Sequence, residues 1–184
     1  MSDLDLIRQL GDLLGRPLEE IPEDRFERHI QAKNVRDWAS QDLIKRDSYA
    51  VAKDGTVIGL FLAPVTSQRL FDFPFQQFRH LRHLHLSLVN LASFEFLRGL
   101  KELTSLDLSA NHISDWSFLR ELTGLTSLDL SYNSISDGVF LCELKGLTLL
   151  YLRNNSISDW SFLHELKGLT SLDLSYNSIS DGSF

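Results

Sequence analysis

Three side chains near the middle of the sequence have types that bind metal ions or exchange protons. His83 and His85 are two residues apart, and Asp107 follows 22 residues after His85. Imidazole and carboxylate groups are zinc ligands, and a carboxylate beside a histidine changes the pH at which the ring titrates. The group is either a His-His-Asp metal site, a pH-sensitive pair or a solvated polar face. Because the sequence offers no residues placed to orient the rings, we expect no metal and no cofactor.

The sequence gives little indication of catalysis. Cys142 has no positioned base near it in sequence, as a nucleophilic thiolate requires. Gly11, Gly15 and Arg16 lack the Lys-Ser/Thr ending of a phosphate-binding loop. We therefore predict that the protein is not an enzyme.

The composition is that of a folded, acidic protein. Of its 184 residues 43% are hydrophobic and 23% are charged, and the net charge is -7. Contacts to phosphates need clustered Lys and Arg, so nucleic acid is not expected as a partner. The single cysteine, the lack of a long apolar run and the acidic N-terminus predict a cytoplasmic protein that does not bind a membrane.

The elements that position these side chains follow from an internal repeat. Segments of one pattern begin at Leu103, Leu125, Leu147 and Leu169, always 22 residues apart, and a weaker copy begins at Leu81. With the strand pattern of residues 57–62, residues 55–184 hold about five and a half units, the last of them incomplete. A fixed period of this length is the signature of a solenoid.

One unit contains a strand and a compact return. In the unit at Leu125, Leu128 and Leu130 alternate with polar residues, so they face one side of a short strand. Ser136 and Asp137 then cap a brief helical turn. Stacked units bury their leucines together, which predicts an α/β solenoid with a parallel sheet on its concave face and short helical or 3-10 turns on its convex face.

One asparagine recurs where each strand turns. A side chain there can bond to backbone groups that the bend leaves unpaired, so we expect a structural ladder of stacked amides. Its members are Asn111, Asn133, Asn155 and Asn177.

The pattern Leu-x-x-Leu-x-Leu-x-x-Asn-x-Ile-Ser-Asp from Leu103 to Asp115 resembles the leucine-rich repeat, in the 22-residue class of internalins and phosphatase-regulating repeat proteins. The resemblance implies a horseshoe used mainly for protein binding. A shorter segment, Tyr49 to Leu60, weakly resembles the start of bacterial leucine-rich repeats that precede Roc–COR (ROCO) GTPase modules.

The two ends of the chain differ from the repeats. Residues 1–54 read as an N-terminal helical cap, with helices near 4–14, 22–32 and 35–45 and a β-hairpin turning at Asp54-Gly55. At the other end the sequence stops inside a unit at Phe184. An uncovered strand invites pairing, so we expect either a fragment of a longer protein or self-association through this end.

The concave face carries the candidate partner-binding residues. An acidic column predicts attraction for a basic protein or peptide, or is merely the common solubility residue of such repeats. In one unit the usual polar residues become a leucine, a tyrosine and an arginine, either as interface anchors or by drift after duplication. Two further tyrosines would form the rim. The set is Asp107, Asp129, Asp173, Leu149, Tyr151, Arg153, Tyr132, Tyr176, His83 and His85.

Tryptophan and glycine alternate at one convex position, at Trp116, Gly138, Trp160 and Gly182. This alternation predicts that each indole covers the space beside a neighbouring glycine, in the core or as an exposed aromatic ridge.

These features favour a protein-interaction module that binds a protein or peptide on its concave face. Two alternatives stay open. The repeats are the recognition segment of a larger signalling enzyme, such as a GTPase, kinase or ligase, or they belong to an internalin-type surface adhesin.

Overall fold

The computed structural model describes residues 2–26, 47–62, 70, 72–89, 91 and 93–178. One eight-stranded sheet runs through them in chain order. Its strands are β1 (Glu19–Glu20), β2 (Ser48–Val51), β3 (Val57–Phe61), β4 (His83–His85), β5 (Ser105–Asp107), β6 (Ser127–Asp129), β7 (Leu149–Tyr151) and β8 (Ser171–Asp173).

The sheet is parallel wherever the repeat is present. From β3 to β8 each strand pairs in parallel with the next, and from β4 onward partners are 22 residues apart, as for Leu106, Leu128 and Leu150. The predicted solenoid with a parallel concave sheet is therefore confirmed. The sheet departs from this pattern at β2, which pairs antiparallel with β3 in a hairpin around Asp54 and Gly55.

The strands return through five-residue 3-10 helices on the convex side: Glu95–Gly99, Ser117–Glu121, Val139–Glu143 and Ser161–Glu165, with a shorter one at Phe75–Gln77. The carboxylate of the aspartate before each of three of these helices accepts the backbone N–H two residues later. Asp115 bonds to Ser117 at 2.8 Å, Asp137 to Val139 at 2.8 Å and Asp159 to Ser161 at 2.9 Å. The aspartates thus satisfy amides that a short helix leaves unpaired.

Aromatic rings pack from one convex turn to the next, and here the indole prediction is wrong. Phe140 stacks on Trp116 of the preceding repeat at a centroid distance of 5.6 Å. Phe162 takes the same place beside Gly138, where an added Cβ would lie 2.3 Å from the phenyl ring. A phenylalanine of the following repeat therefore fills the space beside Gly138. Gly182 lies outside the described residues.

The N-terminal helix α1 (Asp3–Leu14) begins with a capping box between Ser2 and Asp5. It ends at Gly15, which has the left-handed φ of 69° that favours glycine. Leu6, Ile7 and Leu10 are buried in the main core, which continues through the repeats. The helix expected at 22–32 is described only over residues 23–26, which are helical, and the one at 35–45 lies outside the described residues.

A second, smaller core lies where the N-terminal region meets the first strands. It consists of Ile21, Phe26, Ala50, Ile58 and Phe61. Phe26 sits against Gly59, where an added Cβ would lie 2.9 Å from the ring. Because Gly59 pairs with His83 in the sheet, this cluster covers the start of the concave face.

Candidate functional site

The concave face is built from residues on either side of the central leucine of β4 to β8. In-register pairing places equivalent residues of successive strands in columns. The central column contains His85, Asp107, Asp129, Tyr151 and Asp173, and a second column contains His83, Ser105, Ser127, Leu149 and Ser171. The residues two positions after those of the central column form a third column, in which every residue except Arg153 is a serine.

The aspartates of the central column stabilise the strand ends as well as providing charge. Each accepts the backbone N–H of the serine two residues on: Ser109 to Asp107 at 2.8 Å, Ser131 to Asp129 at 2.9 Å and Ser175 to Asp173 at 2.9 Å. Asp107 is 7% exposed, whereas Asp129 and Asp173 are half-buried. The negative potential that a ligand meets therefore comes mainly from the later two repeats.

Tyr151 replaces the aspartate in β7 and lies between Asp129 and Asp173. Its Oη is 3.5 Å from Ser171 Oγ. Partial burial raises the pKa of the Tyr151 phenol, and the two neighbouring carboxylates raise it further. The ring is therefore a neutral, half-buried platform beside two acidic groups, with Leu149 half-buried on the same strand.

Arg153 lies between two exposed tyrosines. Its Nε donates to Tyr132 Oη at 3.0 Å, its Nη1 donates to Ser175 Oγ at 3.2 Å, and its guanidinium carbon lies 4.4 Å from the centre of the Tyr176 ring. Tyr132 is 45% exposed and Tyr176 is 70% exposed. The structure thus brings Arg153, Tyr132 and Tyr176 together, and we call these three residues the arginine clamp.

The backbone explains why both tyrosines point outward, which the repeat pattern alone does not reveal. The same turn position in five successive repeats has a left-handed φ of 54° to 59°, although none of these residues is glycine: Leu88, Ala110, Tyr132, Asn154 and Tyr176. A non-glycine residue rarely adopts this conformation, so the turn must be held by its surroundings. Three of these residues, Leu88, Tyr132 and Tyr176, have large exposed side chains.

The two histidines have different surroundings. Nδ1 of His85 lies 2.7 Å from Asp107 Oδ2, Nε2 is 2.9 Å from Ser87 Oγ, and the ring stacks on Phe61 at 4.0 Å. His83 lies beside Phe26, with ring centres 6.1 Å apart. Burial, with a smaller contribution from Arg82, lowers the pKa of His83 to about 4. His83 thus contacts Phe26 of the N-terminal region and His85 contacts Phe61 of β3, so the two rings do not form an open pair.

No group of three or more metal-ligating side chains occurs in the described ranges. Asp107 already accepts a backbone hydrogen bond and faces His85, and His83 is turned toward Phe26. His85 and Asp107 accordingly form a polar contact between β4 and β5, and His83 packs against Phe26 of the N-terminal region.

The ladder asparagines bond to the preceding repeat and to their own. Asn133 donates from Nδ2 to the carbonyls of Leu108 and Leu130 at 3.1 and 3.0 Å, and its Oδ1 accepts from the Asn111 backbone at 3.2 Å. Asn111, Asn155 and Asn177 repeat this double attachment. Asn133 directly follows Tyr132 and Asn177 directly follows Tyr176, so these two amides hold the turns that carry the tyrosines.

The repeats are also detected by sequence comparison. A sequence model described as "Leucine Rich repeats (2 copies)" matches residues 79–121, 123–163 and 145–181, which together exceed half of the chain. The chain belongs to the leucine-rich repeat family. No curated protein matches this leucine-rich repeat protein.

Solved structures with a similar fold include two internalins from Listeria monocytogenes strain 4b F2365. The internalin inlF is 25% identical with a TM-score of 0.56, covering 70% of this chain and 40% of its own. Internalin C2 is 29% identical with a TM-score of 0.59, covering 77% and 66%. A leucine-rich repeat protein of Leptospira interrogans is 25% identical with a TM-score of 0.54, covering 59% and 29%.

The leucine-rich repeat protein thus spans less than two thirds of the length of these internalins. The family and the internalin-like fold support a protein-interaction module in general. Within the described ranges, no helix has the length and apolar character needed to cross a bilayer.

Proposed function

We propose that the leucine-rich repeat protein is a non-enzymatic module that binds a protein or peptide partner on the concave face of its last three described repeats. The observation that carries this proposal is the local break in the repeat. In β7 and just after it, Leu149, Tyr151 and Arg153 replace small polar residues, and two exposed tyrosines flank them. Tyrosine and arginine are the residues most often found as anchors of protein interfaces.

The charge around this face favours a partner with a basic group. Residues 103–184 contain ten acidic and four basic residues, which give a net charge of -6. Asp129 and Asp173 flank Tyr151 in the sheet, so a cation placed over the ring would face a carboxylate on each side. His83, His85 and Asp107 lie nearer the N-terminal region, where we expect a smaller contribution to binding.

Affinity capture with the complete chain tests the site. We expect the double variant Tyr151→Ala, Arg153→Glu to lose the proteins that the wild type retains, because it removes the aromatic surface and reverses one charge. The matched control is Glu143→Ala with Arg120→Ala, both exposed residues of the convex side. Equal recovery by the wild type and the concave variant, with both folded by circular dichroism, would refute the concave site.

A second candidate is an internalin-type recognition segment on a cell surface, which the fold likeness to two internalins favours. We place the protein in the cytoplasm instead, because a single cysteine, Cys142, fits a reducing compartment. Surface labelling and fractionation of cells that produce the native gene product distinguish a cytoplasmic protein from an adhesin. A membrane-impermeant reagent would label an adhesin on intact cells.

We further propose self-association through the outer side of β8. Leu172 is 40% exposed, whereas its counterpart Leu150 is 0% exposed beneath the next repeat. A second copy placed against β8 would bury Leu172 and pair the outer edge of the strand. We expect the mass from light scattering to rise above one chain with concentration, and Leu172→Lys to prevent this rise. A constant monomer mass at millimolar concentration would exclude the dimer.

A further inference from the structure

Arg153 is the exception in its column of the concave face. The equivalent residues Ser109, Ser131 and Ser175 are small, and they close the strand end through backbone bonds to aspartate. A guanidinium at this position adds a rigid, planar group with five N–H donors. Arg153 therefore has the chemistry of a recognition group. The serines at the same position of the other repeats indicate that the fold itself does not require an arginine here.

The arginine clamp fixes the orientation of the guanidinium without neutralising it. The three groups that it contacts are uncharged: the Tyr132 hydroxyl, the Ser175 hydroxyl and the face of the Tyr176 ring. The hydrogen bond to Tyr132 and, to a smaller extent, the Asp173 carboxylate raise the pKa of the guanidinium, but within the described residues Asp173 forms no ion pair with it. In the described part of the chain Arg153 forms no ion pair, and both N–H groups of Nη2 have no acceptor. A guanidinium held by neutral groups keeps its charge and its remaining donors for a ligand.

Arg98, another arginine of the repeats, is arranged differently. Arg98 on the convex side donates to both Glu95 and Glu121, so its charge is already compensated. Arg98 is thus paired with carboxylates, whereas the arginine of the clamp is oriented by hydroxyls and an aromatic ring.

We propose that the arginine clamp of Tyr132, Arg153 and Tyr176 receives one carboxylate, the side chain of an aspartate or glutamate in the partner. This inference rests on the proposed function and adds the chemistry of one contact. A carboxylate carries a single charge and matches the guanidinium edge. A phosphate of nearly two charges fits less well, because Asp129 and Asp173 lie in the adjacent column and repel it.

The spacing predicts the sequence of the partner. Tyr151 and Arg153 are two residues apart, and side chains two apart on a strand are separated by about 7 Å. We therefore expect an extended segment of the partner in which a basic residue and an acidic residue are two positions apart. The basic residue would lie over Tyr151 and the acidic residue at Arg153, because residues two apart are separated by the same distance in any extended chain.

Selection from a random peptide library tests the inference with the complete chain. The library is selected in parallel on the wild type, on Arg153→Gln and on the convex control Arg120→Gln. We expect peptides from the wild type and from Arg120→Gln to share an acidic residue at a fixed position, and those from Arg153→Gln to lack it. In a synthetic peptide from the wild-type pool, exchanging that glutamate for glutamine should weaken binding at least about tenfold to the wild type and little to Arg153→Gln.

The outcomes separate this inference from the proposed function. A wild-type pool without binders, or with binders that lack a fixed acidic residue, overturns the clamp, while the capture experiment alone decides the concave site. Stronger binding of a phosphotyrosine peptide than of its glutamate counterpart also overturns the carboxylate. Tyr176→Phe keeps the ring and should retain the preference, whereas Tyr176→Ala should weaken it, which separates ring support from a contact of the hydroxyl.

Discussion

At the turns after β5, β6, β7 and β8, one asparagine amide replaces the backbone partners that the bend removes. Asn133 is the best example, because it is buried and bonded to three carbonyls and one N–H. Each amide joins two repeats, so it contributes to the stacking of the solenoid as well as to its own turn. Loss of the amide should lower stability, because it leaves buried polar groups without hydrogen-bond partners.

Asn133→Ala should lower the free energy of unfolding by about 1–3 kcal/mol, because the carbonyls of Leu108 and Leu130 and the N–H of Asn111 lose a partner in a buried site. Urea unfolding measures the change. Ser134→Ala, at the exposed neighbouring residue, is the control and should have little effect. A similar small effect for both variants would contradict the structural role of the amide.

His83 should make stability depend on pH. Its pKa is about 4 in the folded protein and 6.5 ordinarily, so between these values the unfolded chain binds a proton that the folded chain does not. The free energy of unfolding should therefore fall as pH drops from about 6.5 to 4, by about 3 kcal/mol from this residue at most.

Urea unfolding of His83→Phe across this pH range checks the prediction. The variant retains a ring beside Phe26 but cannot take up a proton, so its stability should fall less than that of the wild type toward pH 4. His164→Phe, at an exposed convex residue, should follow the wild type. Parallel curves for the wild type and His83→Phe would show that His83 titrates in the folded protein as it does in the unfolded chain.

At the scale of the elements, the convex turns are joined by rings that each reach back to the preceding repeat. Phe140 stacks on Trp116, and Phe162 occupies the matching place beside Gly138. In alternate repeats, a phenylalanine thus packs either on a tryptophan ring or on the bare backbone of a glycine. Gly138 has φ of -99°, so its requirement is for space and not for an unusual backbone conformation.

Gly138→Ala should cost about 1–3 kcal/mol of stability, because the new methyl group would overlap the Phe162 ring. Thermal or urea unfolding measures the loss. Phe162→Leu should reduce the additional cost of Gly138→Ala, since a smaller side chain gives way. Val139→Ala, at the exposed next residue, serves as control; equal effects of the two alanines would argue against a filled space.

At the scale of the whole molecule, the protein is a stack in which each repeat is buried by its neighbours. Leu128 in β6 is fully buried between two repeats, while Leu172 in β8 is 40% exposed. Phe26 of the N-terminal region and Phe61 of β3 cover the concave start of this stack, so the accessible concave surface lies toward β6, β7 and β8.

The same substitution should therefore have different effects along the stack. Leu128→Ala should destabilise the chain by about 2–5 kcal/mol through a buried cavity, whereas Leu172→Ala should cost under about 1 kcal/mol. Urea unfolding of both variants at low protein concentration, where self-association is minimal, provides the comparison. A large loss for Leu172→Ala under these conditions would show that β8 is covered in the isolated chain.

By itself the sequence determined the period of 22 residues, and with it the solenoid, the parallel sheet and the placing of the asparagines. These follow because the leucine spacing and the turn residues act within one repeat or between identical neighbours. Only the tertiary structure decided which concave residues remain accessible: His85 stacks on Phe61, His83 lies beside Phe26, and Asp107 is buried. The same is true of the left-handed turns, the ring beside Gly138 and the clamp around Arg153. Each of these depends on contacts between side chains of different repeats or of the N-terminal region, whose shapes no local pattern encodes.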